Sequence, residues 1–301
     1  MVDYQKLLKI EDLAAEGDGG ADARVAVLDT GIPEDDSFQV ALAENFTTDE
    51  ERDPGHATFL GSVLFGTSGV RGICPRATAC FGKVFAGQVT KPETVAEAVS
   101  YAVGVWRADI INLSLGFQEP SAALEKACSD AASRGAVVVA ASGNDGGSTL
   151  WPAALPGVIS VGSSDGTGRE AFSNKGKVDV VAPGTDLLGI DGDGKLASKS
   201  GTSYSAALIT GLTALLLSRR RWSRPDAKAC DVLKELKDLC VDIGRLGVDD
   251  ETGHGFPFPR LIPRTFANSV KLSLCSVFAI IKDTMKKAVA ALTPRRMKDY
   301  E

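Results

Sequence analysis

The chain has 301 residues, 44% of them hydrophobic and 24% charged, with a formal net charge of -6. That length accommodates one large α/β domain or two small ones around a sizeable core. The acidic balance argues against a nucleic-acid partner, and no apolar run reaches the roughly 18 residues of a membrane span. The first twenty residues, MVDYQKLLKIEDLAAEGDGG, carry acids throughout and lack the apolar stretch of a secretory signal, so a cytoplasmic location is expected. Cys74, Cys80, Cys128, Cys230, Cys240 and Cys275 form no CxxC pair, and two histidines are too few for a zinc site of usual spacing. Reduced, buried thiols are expected.

In chain order, apolar β-branched runs predict strands at 24–28 (RVAVL), 78–84, 110–115 (IINLSL), 136–141 (AVVVAA), 158–161 and 178–181. Helical patterns fall between and after them, at 56–65, 92–106, 121–134, 203–219 and 225–240. Pro92 suits a first helical turn, and Gly135 suits a cap just past Arg134. This alternation predicts an α/β fold in three layers, a mostly parallel twisted sheet with helices on both faces. A composition shift near Pro263 divides a catalytic domain, 1–260, from an extension, 261–301.

In an open parallel sheet, functional residues collect beyond the carboxyl ends of the strands. Three places qualify. RVAVL runs into Asp29-Thr30-Gly31, and AVVVAA into Ser142-Gly143-Asn144; Gly201-Thr202-Ser203 opens an apolar helix. A serine hydroxyl at a helix start needs a base to become a nucleophile, and the helix N-terminus stabilises a developing oxyanion. Alone, Ser203 reads far more readily as a helix cap than as a nucleophile. The base is narrowed by counting, because only His56 and His254 titrate near neutrality, and His254 sits in a glycine-rich late turn.

The motifs VAVLDTGI, GHAT, NLSLG, ASGN and GTSYSAALITG occur in one order, separated by tens of residues. In order and spacing they resemble the subtilisin-like serine peptidases over about residues 7–258. That resemblance implies a serine endopeptidase in which Asp29 orients His56, His56 takes the Ser203 proton, and Asn144 donates to the oxyanion with the Ser203 N–H. It further implies an extended polypeptide substrate held by Ser114, Leu115 and Gly116, with Ala141, Ser142 and Gly143 as the opposite wall of the first specificity pocket. No cofactor is implied.

Several departures refine the expectation. The chain writes Ala57 and Phe59 where the family has Gly and a second His. The loop 66–72 is shorter than the family's calcium loop and lacks its ligands, which argues against that metal site. Leu150 stands where a small residue often forms the pocket base, so a shallow pocket for small or apolar P1 side chains is expected. Asp29 is residue 29 of the sequence, so no folding pro-domain is expected, and intracellular members come to mind by analogy.

Other readings carry less. An aspartic peptidase needs two Asp-Thr-Gly elements, and an α/β-hydrolase needs Gly-x-Ser-x-Gly with the histidine last. A peptide-maturing transpeptidase or macrocyclase shares the acyl-enzyme and differs only in the acceptor. A silent peptide-binding scaffold should have lost a triad or oxyanion residue, and none is missing. Asp191-Gly192-Asp193 reads as a solvated turn, and Arg219-Arg220-Arg221 as a solvated helix end. Residues 271–298 hold seven Lys or Arg and one acid around an apolar stripe, a basic amphipathic helix for packing on the domain, a partner or a membrane surface.

Overall fold

The computed structural model describes residues 14–16, 18–49 and 54–257; the extension 261–301, with Cys275 and the basic stripe, lies outside them. The elements are β1 (Arg24–Asp29), β2 (Leu42–Asn45), α1 (Gly55–Phe65), β3 (Thr78–Lys83), α2 (Pro92–Gly104), β4 (Ile110–Leu113), α3 (Ala122–Ser133), β5 (Val137–Ala141), β6 (Val158–Ser163), β7 (Val180–Ala182), β8 (Leu187–Ile190), β9 (Leu196–Lys199), α4 (Thr202–Ser223), α5 (Leu233–Asp238), β10 (Cys240–Val241) and β11 (Phe256–Pro257). Seven strands form one parallel sheet in the order β2-β3-β1-β4-β5-β6-β7.

Both faces of the sheet are covered, which explains why its strands read as continuous apolar runs. Successive side chains alternate: Val25 and Val27 of β1 enter one core with Phe59, Leu60, Leu208 and Leu212. Ala26 and Leu28 enter the other, with Val95, Val99, Leu124 and Ala131. Helices α1 and α4 thus cover one face and α2 and α3 the other, the expected three-layer α/β fold. Helix α4 is buried from Thr202 to Ser218, as a helix apolar all round must be. Each fully buried leucine or isoleucine on it contributes roughly 1.5–3 kcal/mol.

Local signals hold where they were specific. Pro92 opens α2, and Gly135, at φ +86, follows the Arg134 cap of α3. Three expectations need correction. The run 225–240 is a 3-10 turn (Ala229–Val232) followed by the short α5. Pro225 lies in the bend after α4, and the Asp231 carboxylate caps the new start by accepting the Lys228 N–H at 2.9 Å. The arginine run is not merely solvated: Arg221 holds Asp109 through two bonds, 2.6 and 3.0 Å, and Arg219 bridges Glu16 and Glu235. The helix expected from Ser203 starts one residue earlier, at Thr202.

Asp191 lies in the β8–β9 turn, where its Oδ1 accepts the N–H groups of Asp193 and Lys195, both at 3.0 Å. Loop 66–72 closes on itself, Gly72 N–H donating to Gly66 O at 2.7 Å. Cys74, Cys80, Cys128, Cys230 and Cys240 are free thiols, the first three buried.

Candidate active site

Strand β1 lies between β3 and β4: after it the chain forms β2 and β3 on one side and then crosses to β4 on the other, and such a switch point opens a crevice at the strand ends. Asp29 closes β1 there, 1% exposed. A buried carboxylate needs hydrogen bonds, and its Oδ1 accepts the Thr30 N–H at 2.7 Å and faces His56 Nδ1 at 2.7 Å. His56 stands in the first turn of α1, which the apolar residues Ala57 to Phe65 pull into the core. A carboxylate can only accept, so the Nδ1 that faces it carries the hydrogen, and this contact selects the neutral tautomer that leaves Nε2 free as a base.

The imidazole keeps 28% of its surface exposed. Burial disfavours its cation and Lys199 does so weakly, but the charge and hydrogen bond of Asp29 outweigh them, and the His56 pKa rises above 6.5. His254 lies elsewhere, on the loop before β11; its N–H donates to Asp179 O at 2.7 Å, and burial and Lys237 lower its pKa.

Ser203 occupies the first turn of α4 behind Gly201, whose φ of +151 is a backbone state that favours glycine. The ring of its neighbour Tyr204 lies tilted at 50° to that of His56, centroids 5.6 Å apart, which brings the candidate nucleophile and the candidate base to the same place. The Ser203 hydroxyl donates to Ser114 O at 3.3 Å; proton transfer to His56 requires it to swing towards Nε2. Catalytic hydrogen bonds commonly tighten only with substrate bound.

Asn144, two residues beyond the Ser142 that follows β5, is exposed. Its Oδ1 accepts both the Thr202 N–H at 2.8 Å and the Thr202 hydroxyl at 2.9 Å. A backbone N–H can only donate, so this contact fixes the amide and leaves Nδ2 as a donor beside the helix start. The Ser203 N–H, another first-turn donor of α4, supplies a second.

The other expected residues flank this centre. Ser114, Leu115 and Gly116 leave the β4 ladder at Leu113, and among the described residues the Leu115 and Gly116 backbones make no hydrogen bonds. Opposite them, Ala141 ends β5, the Ser142 carbonyl accepts the Leu150 N–H at 2.9 Å, and the Gly143 carbonyl accepts the Asn174 N–H at 3.1 Å. Leu150 fills the space between the walls: a Cβ on Gly116 would lie 2.7 Å from Leu150 Cβ.

Several contributors were not singled out from the sequence. Thr202 orients Asn144. Asn174, fully buried, ties down the 143–150 loop by donating to Ser148 O at 2.8 Å and accepting the Asp145 N–H at 2.9 Å. Tyr204 is signalled only by its place beside Ser203, and Asn174 by nothing local.

Comparison with known proteins adds the lineage. The sequence model described as the Subtilase family matches residues 20–255. An alkaline protease of Alkalihalobacillus alcalophilus is 32% identical over 235 residues, 75% of this chain, and the chain spans 60% of that relative's length. The major intracellular serine protease of Bacillus subtilis is 33% identical over 237 residues, 71% of this chain and 74% of the relative. Among solved structures, the prenylagaramide maturation protease PagA superposes with a TM-score of 0.68 at 31% identity, covering 77% of this chain and 88% of its own.

Proposed function

The chain belongs to the subtilase family, a family of serine-type peptidases, and on that premise we propose that it is an endopeptidase acting on extended polypeptides through an acyl-enzyme at Ser203. The observation that carries this reading is the 2.7 Å Asp29–His56 contact beside the N-terminus of α4. His56 Nε2 takes the Ser203 proton as Oγ attacks the substrate carbonyl. Charge that develops on the carbonyl oxygen meets Asn144 Nδ2 and the Ser203 N–H. His56 then returns the proton to the leaving amine, and a water, deprotonated by the same imidazole, releases the acyl group.

The free backbone of Leu115 and Gly116 would pair with the substrate as an added strand. The P1 side chain would enter between this edge and 141–143, where Leu150 favours small or apolar groups. Nothing in this sequence of steps calls for a metal or other cofactor. The reading extends to a catalytic unit ending near residue 260 and to a cytoplasmic location, which the likeness to an intracellular protease supports.

A second reading keeps the same acyl-enzyme and passes the acyl group to a peptide amine instead of water; the likeness to a maturation protease at 31% identity supports a role in peptide maturation. The test is active-site labelling with a fluorophosphonate, followed by mass analysis of products from a peptide library. Labelling is expected in the wild type and absent in Ser203→Ala. A folded wild type that stays unlabelled would mark a silent binding scaffold. Ligated instead of hydrolysed products would select the second reading.

A further inference from the structure

The Ser203 crevice has two sides of different chemical meaning. The acyl half of a substrate lies along Ser114–Gly116 and Asn144. The leaving half departs past His56, because His56 must reach its amine to protonate it. Whatever surrounds His56 away from Asn144 therefore meets the residues that follow the scissile bond.

That side carries a cation. Lys199 is the last residue of β9, four positions before Ser203. The β8–β9 hairpin is held over α1, where the Ile190 N–H donates to Ser62 Oγ at 2.8 Å. The Lys199 ammonium rests 5.0 Å from the centre of the Phe59 ring. Phe59 packs at 4.8 Å on Tyr204, and Tyr204 at 5.6 Å on His56. Phe59 stands where a second histidine is usual in the resemblance described above, so the shelf that receives the lysine is apolar and aromatic rather than titratable. Among the described residues no carboxylate lies within ion-pair distance of Lys199. The side chain is half-buried, and its charge is felt at His56.

Resting on the peptidase reading, we propose that Lys199 is a specificity-determining residue that selects an acidic side chain, Asp or Glu, immediately after the scissile bond. The ammonium lies beside the path of the leaving peptide, on a hairpin anchored to the helix that carries the general base. An acidic residue there forms a partly exposed ion pair with Lys199 as the acyl-enzyme forms, and a basic residue meets like charge. The Phe59 ring covers one side of the ammonium.

The experiment uses internally quenched peptides that share one bond cleaved by the full chain, first located in a peptide library, and differ only in the following residue: Glu, Ala or Lys. Exposed ion pairs imply a kcat/KM about threefold to fivefold higher for Glu than for Ala, and lower still for Lys. The Glu-to-Lys ratio should fall towards one in Lys199→Met, persist in Lys199→Arg, invert in Lys199→Glu, and shrink in high salt. A lysine that merely packs on Phe59 would change kcat/KM for all three peptides together and leave the ratio intact; that result overturns the proposal while sparing the peptidase reading. Absence of any Ser203-dependent cleavage overturns both.

Discussion

In the proposed mechanism Asn144 has two tasks that substitution can separate. Its Oδ1 holds the start of α4 through the Thr202 N–H and hydroxyl, at 2.8 and 2.9 Å, while its Nδ2 is left for the oxyanion. Asn144→Ala removes both. Loss of the donor should lower kcat about 100- to 1000-fold, roughly 3–4 kcal/mol, the magnitude known for such a donor in a subtilisin. Loss of the acceptor leaves a first-turn N–H of α4 without its partner, costing about 1 kcal/mol, or about 2–4 °C in Tm for a domain of this size. Asn144→Asp keeps an acceptor for both Thr202 groups, and its charge is favourable at a helix N-terminus. It should therefore retain stability yet lose at least as much kcat, because a carboxylate repels the developing oxyanion. Progress curves on a chromogenic peptide and thermal melts of the three proteins supply the comparison. If Asn144→Asp keeps more than a tenth of wild-type kcat, or if either variant loses activity through KM alone, Asn144 is not acting on the oxyanion.

The remaining expectations concern the base and the pocket. His56 works as a base only when neutral, and Asp29 raises its pKa; kcat/KM should therefore fall as pH drops through a midpoint above 6.5, the ordinary value. In Asp29→Asn the raising influence is gone while burial and Lys199 remain, so that midpoint should move below the wild-type value and kcat should fall about 10⁴-fold through loss of the correct tautomer; an unmoved midpoint would contradict the assignment. Leu150→Ala should open the space between Gly116 and the 141–143 wall, raising kcat/KM for bulky apolar P1 residues relative to alanine by roughly 10- to 200-fold, as a P1 peptide library would reveal.

How much of this was legible in the sequence depended on whether the information was local. Strand runs such as RVAVL were readable because both faces of the sheet are covered, so each strand is apolar throughout. Asp29, His56, Ser203 and Asn144 were readable because each sits at a strand end or helix start with a glycine nearby, in a recurrent order. The edge strand β2, with its sequence LAEN, and the β8–β9 hairpin have no such run and were not foreseen. The partners of the arginine run lie far off in the chain: Arg221 and Asp109 are 112 residues apart, and Arg219 and Glu16 are 203 apart. No window of sequence joins them, and a charged run with unseen partners reads as solvated. Lys199 is a similar case. Its position four residues before the nucleophile is plain, but its resting place on Phe59 exists only once the hairpin has folded over α1.

Ser114 and Ser203 illustrate why the acyl-binding edge and the nucleophile act as one body. Within the buried interface of α4 and β4, Thr210 Oγ1 donates to Asn112 Oδ1 at 3.0 Å, and Asn112 Nδ2 donates to Ser114 Oγ at 2.9 Å. The Ser114 hydroxyl then donates to Ser203 O at 3.0 Å. The Ser203 hydroxyl returns to Ser114 O at 3.3 Å. A buried polar group left unpaired here would cost about 1–3 kcal/mol, so the network favours the first three turns of α4 standing in register with the end of β4. The last bond is the longest of the four, and it is the one that the proposed proton transfer to His56 would break, leaving the other three to keep the two segments aligned. In the proposed mechanism the Ser203 hydroxyl can thus give up its proton without moving the segment assigned to the substrate edge.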